Sequence, residues 1–571
     1  MTRSIFQHSD EQEVGATSSF VTQGKAAPQP LPKDTVSVAP VAKKLGTLLG
    51  VFVPCTQNIL GAIFFLRLSW IVGIAGVRNA LLTVGLCCAT TFLTSLSLSA
   101  IATNGAIKGG GPYYLISRAL GPEFGGSVGL CFYLGTTVAG AMYILGAVQT
   151  IKDSIPSLVL AGTNCRTELT ALENQCGICE MKNINDYQLF GMLVLVALAL
   201  IVFGGVRYVS MVSPFMLIPV LVSVAMIWIG IGTASFRELD PSTGITGDWG
   251  ANIPANMGAA FEANVACLEL RDERDRPYFE TVPTFDFFQS LALFFPSVTG
   301  IMAGSNRSGD LRNAQVSIPL GTIAAVAVTS SIYLLTVVLY GGVAERSVGL
   351  KANYLLSADA SIQEEAVRIG IVLSSLGAGL QSLTGAPRLL QAIANDDLIP
   401  ALRIFQGDGE PRRPLAVTFA ICLCCVLTGD INVVAPVITM FFLLCYTAVN
   451  SAVLLQDLLK EPNWRPRFRF YHSLTALTGA ILCLTIMFLT AAAFAAATIV
   501  IVAVLYKYIQ YRKVAKHWGD GMRGLRLQAA RQTLLALEKL SSVHTKNWRP
   551  QVLLVAGAHA HALGAMRMHM P

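Results

Sequence analysis

Two stretches of the chain carry residue types that could handle bare ions. One reads Val53-Pro54-Cys55-Thr56-Gln57-Asn58-Ile59-Leu60-Gly61-Ala62-Ile63. The other reads Phe295-Pro296-Ser297-Val298-Thr299-Gly300-Ile301-Met302-Ala303-Gly304. Each sets a proline, hydroxyl or amide side chains and a glycine inside a long apolar run. Proline removes a backbone donor and glycine weakens helix, so both stretches are expected to unwind. Unwinding frees carbonyl oxygens, which with a few hydroxyls can replace the hydration shell of an alkali cation. It also frees amide N–H groups at the start of the second half-helix, where the helix dipole favours an anion. One broken helix can serve ions of both signs. The plainer alternative is two proline kinks with packing glycines.

Both stretches sit in segments of membrane length. The 571-residue chain is 53% hydrophobic and only 13% charged, with a mean hydropathy of +0.58. Soluble proteins carry about 25% charged residues, so this chain cannot cover a globule of its size with polar surface. That excludes an ordinary soluble enzyme and a disordered scaffold. Apolar segments lie near 48–77, 79–103, 121–150, 188–206, 211–234, 284–305, 316–343, 366–394, 413–428, 431–458, 474–490 and 491–508, the last two short and adjoining. Only helices or closed barrels satisfy their backbone in lipid, and runs without period-2 alternation are helices. The expected fold class is all-α, a polytopic membrane protein of about twelve transmembrane helices. Each interrupted stretch opens a five-helix block, spans one to five and spans six to ten. Paired interruptions in two halves point to the substrate site of an inverted-repeat transporter.

Three regions follow: a cytosolic tail over 1–45, a transport domain over 46–508, and a basic cytosolic stub over 509–571. The transport domain divides into repeats near 46–234 and 284–458 plus the last two spans, 474–508. Between Lys507 and Pro550 ten Lys/Arg face only Asp520 and Glu538, while 235–283 holds four bases and nine acids. The basic end suits the cytoplasmic leaflet and the acidic loop the outside, so both termini are placed in the cytosol. A basic run next to a membrane span is not read as a nucleic-acid site. The outer loops hold Cys165, Cys176, Cys179 and Cys267, and four cysteines in an oxidising compartment permit three pairings. Cys176–Cys179 is a lone CxxC, and no zinc spacing is present.

Longer motifs carry a family resemblance: QNILGAIFFLRLSWIVGIAGV (57–77), SAIATNGAIKGGGPYYLISRALGPEFGG (99–126), PSVTGIMAGSNRSGDLRNAQVSIPLGT (296–322) and LGAGLQSLTGAPRLLQAIANDDLIP (376–400). They resemble the cation–chloride cotransporters, and within them the potassium–chloride branch. The resemblance covers roughly residues 45–555. It implies the inverted-repeat fold of the amino acid–polyamine–cation superfamily, with electroneutral movement of K+ and Cl− by alternating access. It implies potassium ligands at Asn58, Ile59, Tyr143, Pro296 and Thr299. It places one chloride on the backbone of Gly61, Ala62 and Ile63, and a second on Gly300, Ile301 and Met302 with Tyr446. Taken alone, a membrane tyrosine is more often an interface or packing residue. At mid-span its hydroxyl needs a partner, and an ion is one. Thr299 alone reads as an intrahelical hydroxyl bond.

Sodium-coupled members of that family carry adjacent serines in the eighth span. The aligned positions here are Gly377 and Ala378, which offer no side-chain oxygen, so the sodium site is read as vestigial. Ser374 and Ser375 stand about one turn earlier and read as helix-packing hydroxyls, with a shifted sodium site as the alternative. Arg67 lies inside span one, where an unpaired guanidinium is expensive. The resemblance makes it part of an outer gate, but the acids expected opposite it align with Gln149 and Asn432. Either Asp153 or Asp430 substitutes, or that gate is weaker. The chain stops at Pro571, where family members continue into a large cytosolic domain, which reads as a truncated gene model or a short isoform.

The expected function is sodium-independent symport of K+ with Cl− at the plasma membrane. A sodium–potassium–chloride cotransporter and a non-transporting modulator of longer relatives are the alternatives. No nucleotide-binding GxxxxGK[ST] loop or catalytic constellation is present, so an enzyme is not expected. No cofactor is expected, K+ and Cl− being cargo. The expected partners are those ions and the lipid bilayer, with oligomers, homogeneous or mixed with related cotransporters, left open.

Overall fold

Apolar runs that must bury their own backbone in lipid become helices, and proline and glycine decide where they fail. The computed structural model describes residues 44–105, 111–155, 157–158, 186–237, 240–258, 270–271, 277–278, 286–353, 355–407, 409–429, 431–459, 464–512, 527 and 530–535. The chain enters through a π-helical turn, Leu48–Phe52, continues as α1 (Val53–Ile59), breaks, and resumes as α2 (Ala62–Leu66). α3 (Leu68–Thr103) holds the rest of span one and all of span two, divided at Gly76, whose φ of 75° suits a residue without a Cβ. Next come α4 (Gly111–Leu120), α5 (Pro122–Ser154), α6 (Asp186–Phe203) and α7 (Val206–Thr233).

Beyond α8 (Trp249–Met257), a two-residue antiparallel pair joins β1 (Leu270–Arg271) to β2 (Pro277–Tyr278). It is the small exception to an all-α architecture. α9 (Phe287–Phe294) begins span six, its first turn capped by the Asp286 carboxylate, which accepts from the Gln289 amide at 2.8 Å. The remaining helices are α10 (Ala314–Val343), α11 (Leu356–Asp359), α12 (Glu364–Asn395), α13 (Arg412–Val426), α14 (Ile431–Leu459) and α15 (Ser473–Tyr511). The last two expected spans form this one 39-residue helix, interrupted at Ala491 with φ −157° and ψ 84°.

Among the described residues nine helices are long and apolar enough to cross a membrane. The difference from twelve has physical causes. Span six is too broken, α13 has only 15 residues, and the last two spans follow one another through the kink at Ala491 without a loop, so they count as one. The protein is a polytopic, all-α membrane protein. α5 lies at its centre and α15 at its lipid-facing edge, with 89% and 11% of their apolar stretches buried. Small residues draw the centre together: a Cβ on Gly146 of α5 would stand 2.4 Å from the Ala62 Cβ on α2. That close approach sets α5 against the first break.

Residues 1–43 of the tail, Cys165, Cys176, Cys179, Cys267 and most of 509–571 lie outside the described residues.

Candidate ion-binding site

The first break occupies two residues. Leu60 takes φ −76° and ψ 54°, and Gly61 is extended at φ −90° and ψ −165°. Helix geometry leaves the last carbonyls of α1 without intrahelical donors. Three consecutive carbonyls instead accept hydroxyls from three different helices. Tyr143 on α5 donates to the Asn58 carbonyl at 3.1 Å. Tyr333 on α10 donates to the Ile59 carbonyl at 2.6 Å, and the Gly61 amide donates there too at 2.8 Å. Ser374 on α12 donates to the Leu60 carbonyl. The Tyr143 ring covers Gly61, where a Cβ would stand 2.7 Å from the ring's Cε1.

The second break is longer. α9 tightens into a 3-10 turn, Phe295–Val298, the chain turns through Gly304, and a second 3-10 segment runs Ser305–Asp310. Two of its hydroxyls fold back onto their own segment. Thr299 donates to the Pro296 carbonyl at 2.8 Å and Ser305 to the Met302 carbonyl at 2.8 Å. Two groups reach in from other helices: Tyr333 donates to the Ser297 carbonyl at 3.2 Å, and the Cys55 thiol to the Ile301 carbonyl at 3.5 Å.

The two breaks touch at Gly300. A Cβ there would stand 2.8 Å from the Asn58 Cβ, 2.9 Å from the Ile59 Cγ1 and 3.0 Å from the Ile59 amide nitrogen. Tyr333 spans the junction. Its ring packs edge-on against Phe64 of α2 at 5.1 Å and Phe294 of α9 at 5.3 Å, while its hydroxyl reaches a carbonyl of each break. Residues 53–63 and 295–304 contain no charged side chain, so every oxygen they offer is neutral. Three buried polar atoms at this junction have no hydrogen-bond partner among the described residues: Asn58 Oδ1, Ser297 Oγ and the Tyr446 hydroxyl. Tyr446 is fully buried, its ring 6.1 Å from Phe295.

Beyond the second break lies a polar cavity of about 590 Å³, lined by Tyr113, Asn306, Asp310, Arg388, Asp396 and Glu410 among others. Arg388 pairs with Asp310 at 2.9 Å, and the Tyr113 hydroxyl donates to Asp396. Burial first, and the Asp396 charge second, push the Tyr113 phenol above its ordinary range, which keeps it protonated as the donor.

The sequence pattern of amino acid permeases matches residues 50–554. The chain is 44% identical over 545 residues to cation-chloride cotransporter 1 of Arabidopsis thaliana, an alignment covering 94% of this chain and 55% of that protein. It is 46% identical over 522 residues to cation-chloride cotransporter 1 of Oryza sativa subsp. japonica, covering 90% of this chain and 51% of that protein. Cation-chloride cotransporter 2 of the same rice is 46% identical over 519 residues, with the same shares of 90% and 51%. The chain belongs to the amino acid permease family, and these similar relatives are named cation-chloride cotransporters. It spans about half the length of these curated relatives.

The five positions offered for a cation gather at the junction. Tyr143 bonds Asn58, Thr299 bonds Pro296, and Gly300 lies on Ile59. The chloride positions divide. Gly61 already donates its amide to the Ile59 carbonyl, so the start of α2 presents Ala62 and Ile63, whose amides the helix leaves free by geometry. Gly300, Ile301 and Met302 form the turn of the second break. At the proposed outer gate Arg67, 6% exposed, donates to the Gln149 oxygen at 3.4 Å. The Asn432 side chain lies outside what is described. Gly377 and Ala378 are buried in α12, and Gly377 faces the Gln57 amide.

Sequence reasoning missed Tyr333, a mid-span tyrosine of the same kind as Tyr143, and the role of Gln57. It read Ser374 and Ser375 together as packing hydroxyls. Ser375 does bond its own helix, donating to the Ile371 carbonyl at 3.0 Å, whereas Ser374 crosses to the first break.

Proposed function

We propose that the chain is a secondary symporter that moves K+ together with Cl− electroneutrally, without sodium, by alternating access on an inverted-repeat fold. The observation that carries this reading is the junction itself: two broken helices in contact, with neutral oxygens converging and no carboxylate in either break. A weakly hydrated monovalent cation suits neutral carbonyls and hydroxyls. Asn58, Ile59, Pro296 and Thr299 with the Tyr143 hydroxyl are the oxygens for K+. With no carboxylate present, the cation's charge is offset by an anion. The amides of Ala62 and Ile63 serve one chloride, with Gly61 ordering the turn before them. The turn Gly300–Met302 with the unpartnered Tyr446 hydroxyl serves the other. The polar cavity beyond the second break lies on the side assigned to the cytosol, so this conformation is read as inward-facing, in a plasma membrane with both termini inside.

Radioactive rubidium uptake into cells lacking related cotransporters tests the proposal. Uptake is expected to require chloride and to ignore external sodium, and sodium-dependent uptake overturns it. Tyr143→Phe is expected to lower uptake about tenfold at equal surface expression, since a ligand oxygen held on the Asn58 carbonyl is lost. Wild-type uptake in that variant would remove Tyr143 from the cation site.

A sodium–potassium–chloride cotransporter is the second reading. One contact favours it: Ser374 sits on the Leu60 carbonyl, so a hydroxyl and a carbonyl stand together between α1 and α12.

A further inference from the structure

A line of buried polar groups runs beside the first break, outside the junction just described. Arg307, 4% exposed, donates through Nη2 to Oε1 of Gln381 at 2.5 Å. Gln381 on α12 donates through Nε2 to Oε1 of Gln57 at 3.1 Å and to Oγ of Ser213 on α7 at 2.5 Å. Ser213 gives its own proton to the Val209 carbonyl at 2.9 Å, so it meets Gln381 as an acceptor.

A guanidinium has donors only, and that sets the direction of every bond in the line. Gln381 must turn its oxygen to Arg307, hence its nitrogen to Gln57, hence the oxygen of Gln57 faces Gln381. Gln57 Nε2 is left pointing the other way. Gln57 is fully buried, and this nitrogen has no acceptor among the described residues. It rests on the backbone of Gly377, where a Cβ would stand 2.1 Å from Nε2 and 2.8 Å from Cδ.

Two oxygens stand about one helical turn from this amide along α1 and α12. The Leu60 carbonyl lies about one turn beyond Gln57, and the Ser374 hydroxyl on it lies about one turn before Gly377. Carbonyls and hydroxyls are ligands for a hard cation. An N–H2 edge is the reverse, two donors carrying partial positive charge. We propose that Gln57 is a specificity-determining residue, its amide donors aimed by Arg307 and Gln381 so that a second alkali cation is denied a seat between α1 and α12. The inference rests on the one-cation reading above and names the group that enforces it. Arg307 and Gln381 are positioning residues, since they act through Gln57. The same geometry explains glycine at position 377: any side chain would displace the amide.

Two near-isosteric substitutions reverse the polarity by different routes. Gln57→Glu puts an oxygen where Nε2 stands. Gln381→Glu leaves Gln57 in place but accepts from Arg307 with one oxygen and from Gln57 Nε2 with the other, which turns the Gln57 oxygen toward Gly377. The full chain and both variants are expressed in cells lacking related cotransporters, and chloride-dependent uptake of radioactive sodium and rubidium is measured. The wild type is expected to carry rubidium, with sodium uptake only at the low background of the cells. Each variant is expected to raise sodium uptake about tenfold, the effect of one oxygen ligand gained. Gln57→Leu, which blocks the seat without a donor or acceptor, is expected to stay at the wild-type level. Variants that reach the surface, carry rubidium and take up no more sodium than the wild type overturn the proposal. So does a gain in Gln57→Leu as large as in Gln57→Glu. Wild-type rubidium uptake that itself requires sodium overturns the one-cation reading beneath it instead.

Discussion

In the first break, the carbonyls of Asn58, Ile59 and Leu60 each accept a hydroxyl from a different helix, α5, α10 and α12. In the second, Thr299 and Ser305 turn back onto carbonyls three residues earlier in their own segment. The contrast has a mechanical meaning. Carbonyls tied to three helices keep their positions only while those helices keep theirs, so the first break is a fixed frame of oxygens. A segment whose bonds close on itself can shift as a unit without losing them. Its outside ties include the Tyr333 hydroxyl, the Cys55 thiol, the contact of Gly300 with Asn58 and Ile59 and, farther along, the bonds of Arg307 to Gln381 and of Asp310 to Arg388. In a medium without water an orphaned carbonyl is costly, which makes self-capping the cheaper solution for a moving part. Under the proposed symport, the first break would set which cation fits and the second when it is released.

The largest effect is expected from Gly300→Ala, which presses a methyl into the contact between the breaks. Two of the three neighbours nearest to it are within 3.0 Å, and the third, at 3.0 Å, is backbone. Overpacking of this kind costs about 1–3 kcal/mol, and here it falls on the contact between the two breaks. Rubidium uptake should fall at least about tenfold at equal surface expression. Uptake within twofold of the wild type would mean that the contact does not couple the breaks.

Tyr333→Phe should come next. It removes the single O–H that the two breaks share while keeping the ring against Phe64 and Phe294. Ile59 retains the Gly61 amide as a donor, so the loss falls mainly on Ser297. A cost of about 1–3 kcal/mol is expected, read as a lower melting temperature of the purified protein together with reduced uptake. An unchanged melting temperature would show that the two frames are held independently.

Ser374→Ala should matter least, since it uncaps the Leu60 carbonyl alone and leaves the second break untouched. A destabilisation of about 1 kcal/mol is expected, with rubidium uptake within about twofold. A loss as large as that of Gly300→Ala would make Ser374 a ligand of the transported ion and favour the sodium-coupled reading.

Much of this was legible in the amino-acid order, and the parts that were not share a cause. The breaks were readable because proline and glycine act on their own backbone, at Pro54 and Gly61 and at Pro296 and Gly300. Tyr143 was found through a family resemblance, whereas Tyr333, equally central, carried no local mark. Ser374 looked like its neighbour Ser375 because nothing in a dipeptide tells which hydroxyl faces its own helix. The meeting of the last two spans was legible as adjoining apolar runs at 490–491, and the chain leaves helical geometry there, at Ala491.

Sequence by itself determined the membrane class, the span positions, the places of failure and the neutrality of the oxygens there, because each depends on composition or on a residue's effect on adjacent backbone. Tertiary structure alone decided which hydroxyl meets which carbonyl, that Gly300 lies on Ile59, and which way the Gln57 amide points. Those facts join residues tens to hundreds of positions apart. In a low-dielectric interior every donor must find an acceptor across such distances, and only the packed arrangement of helices says which one it finds.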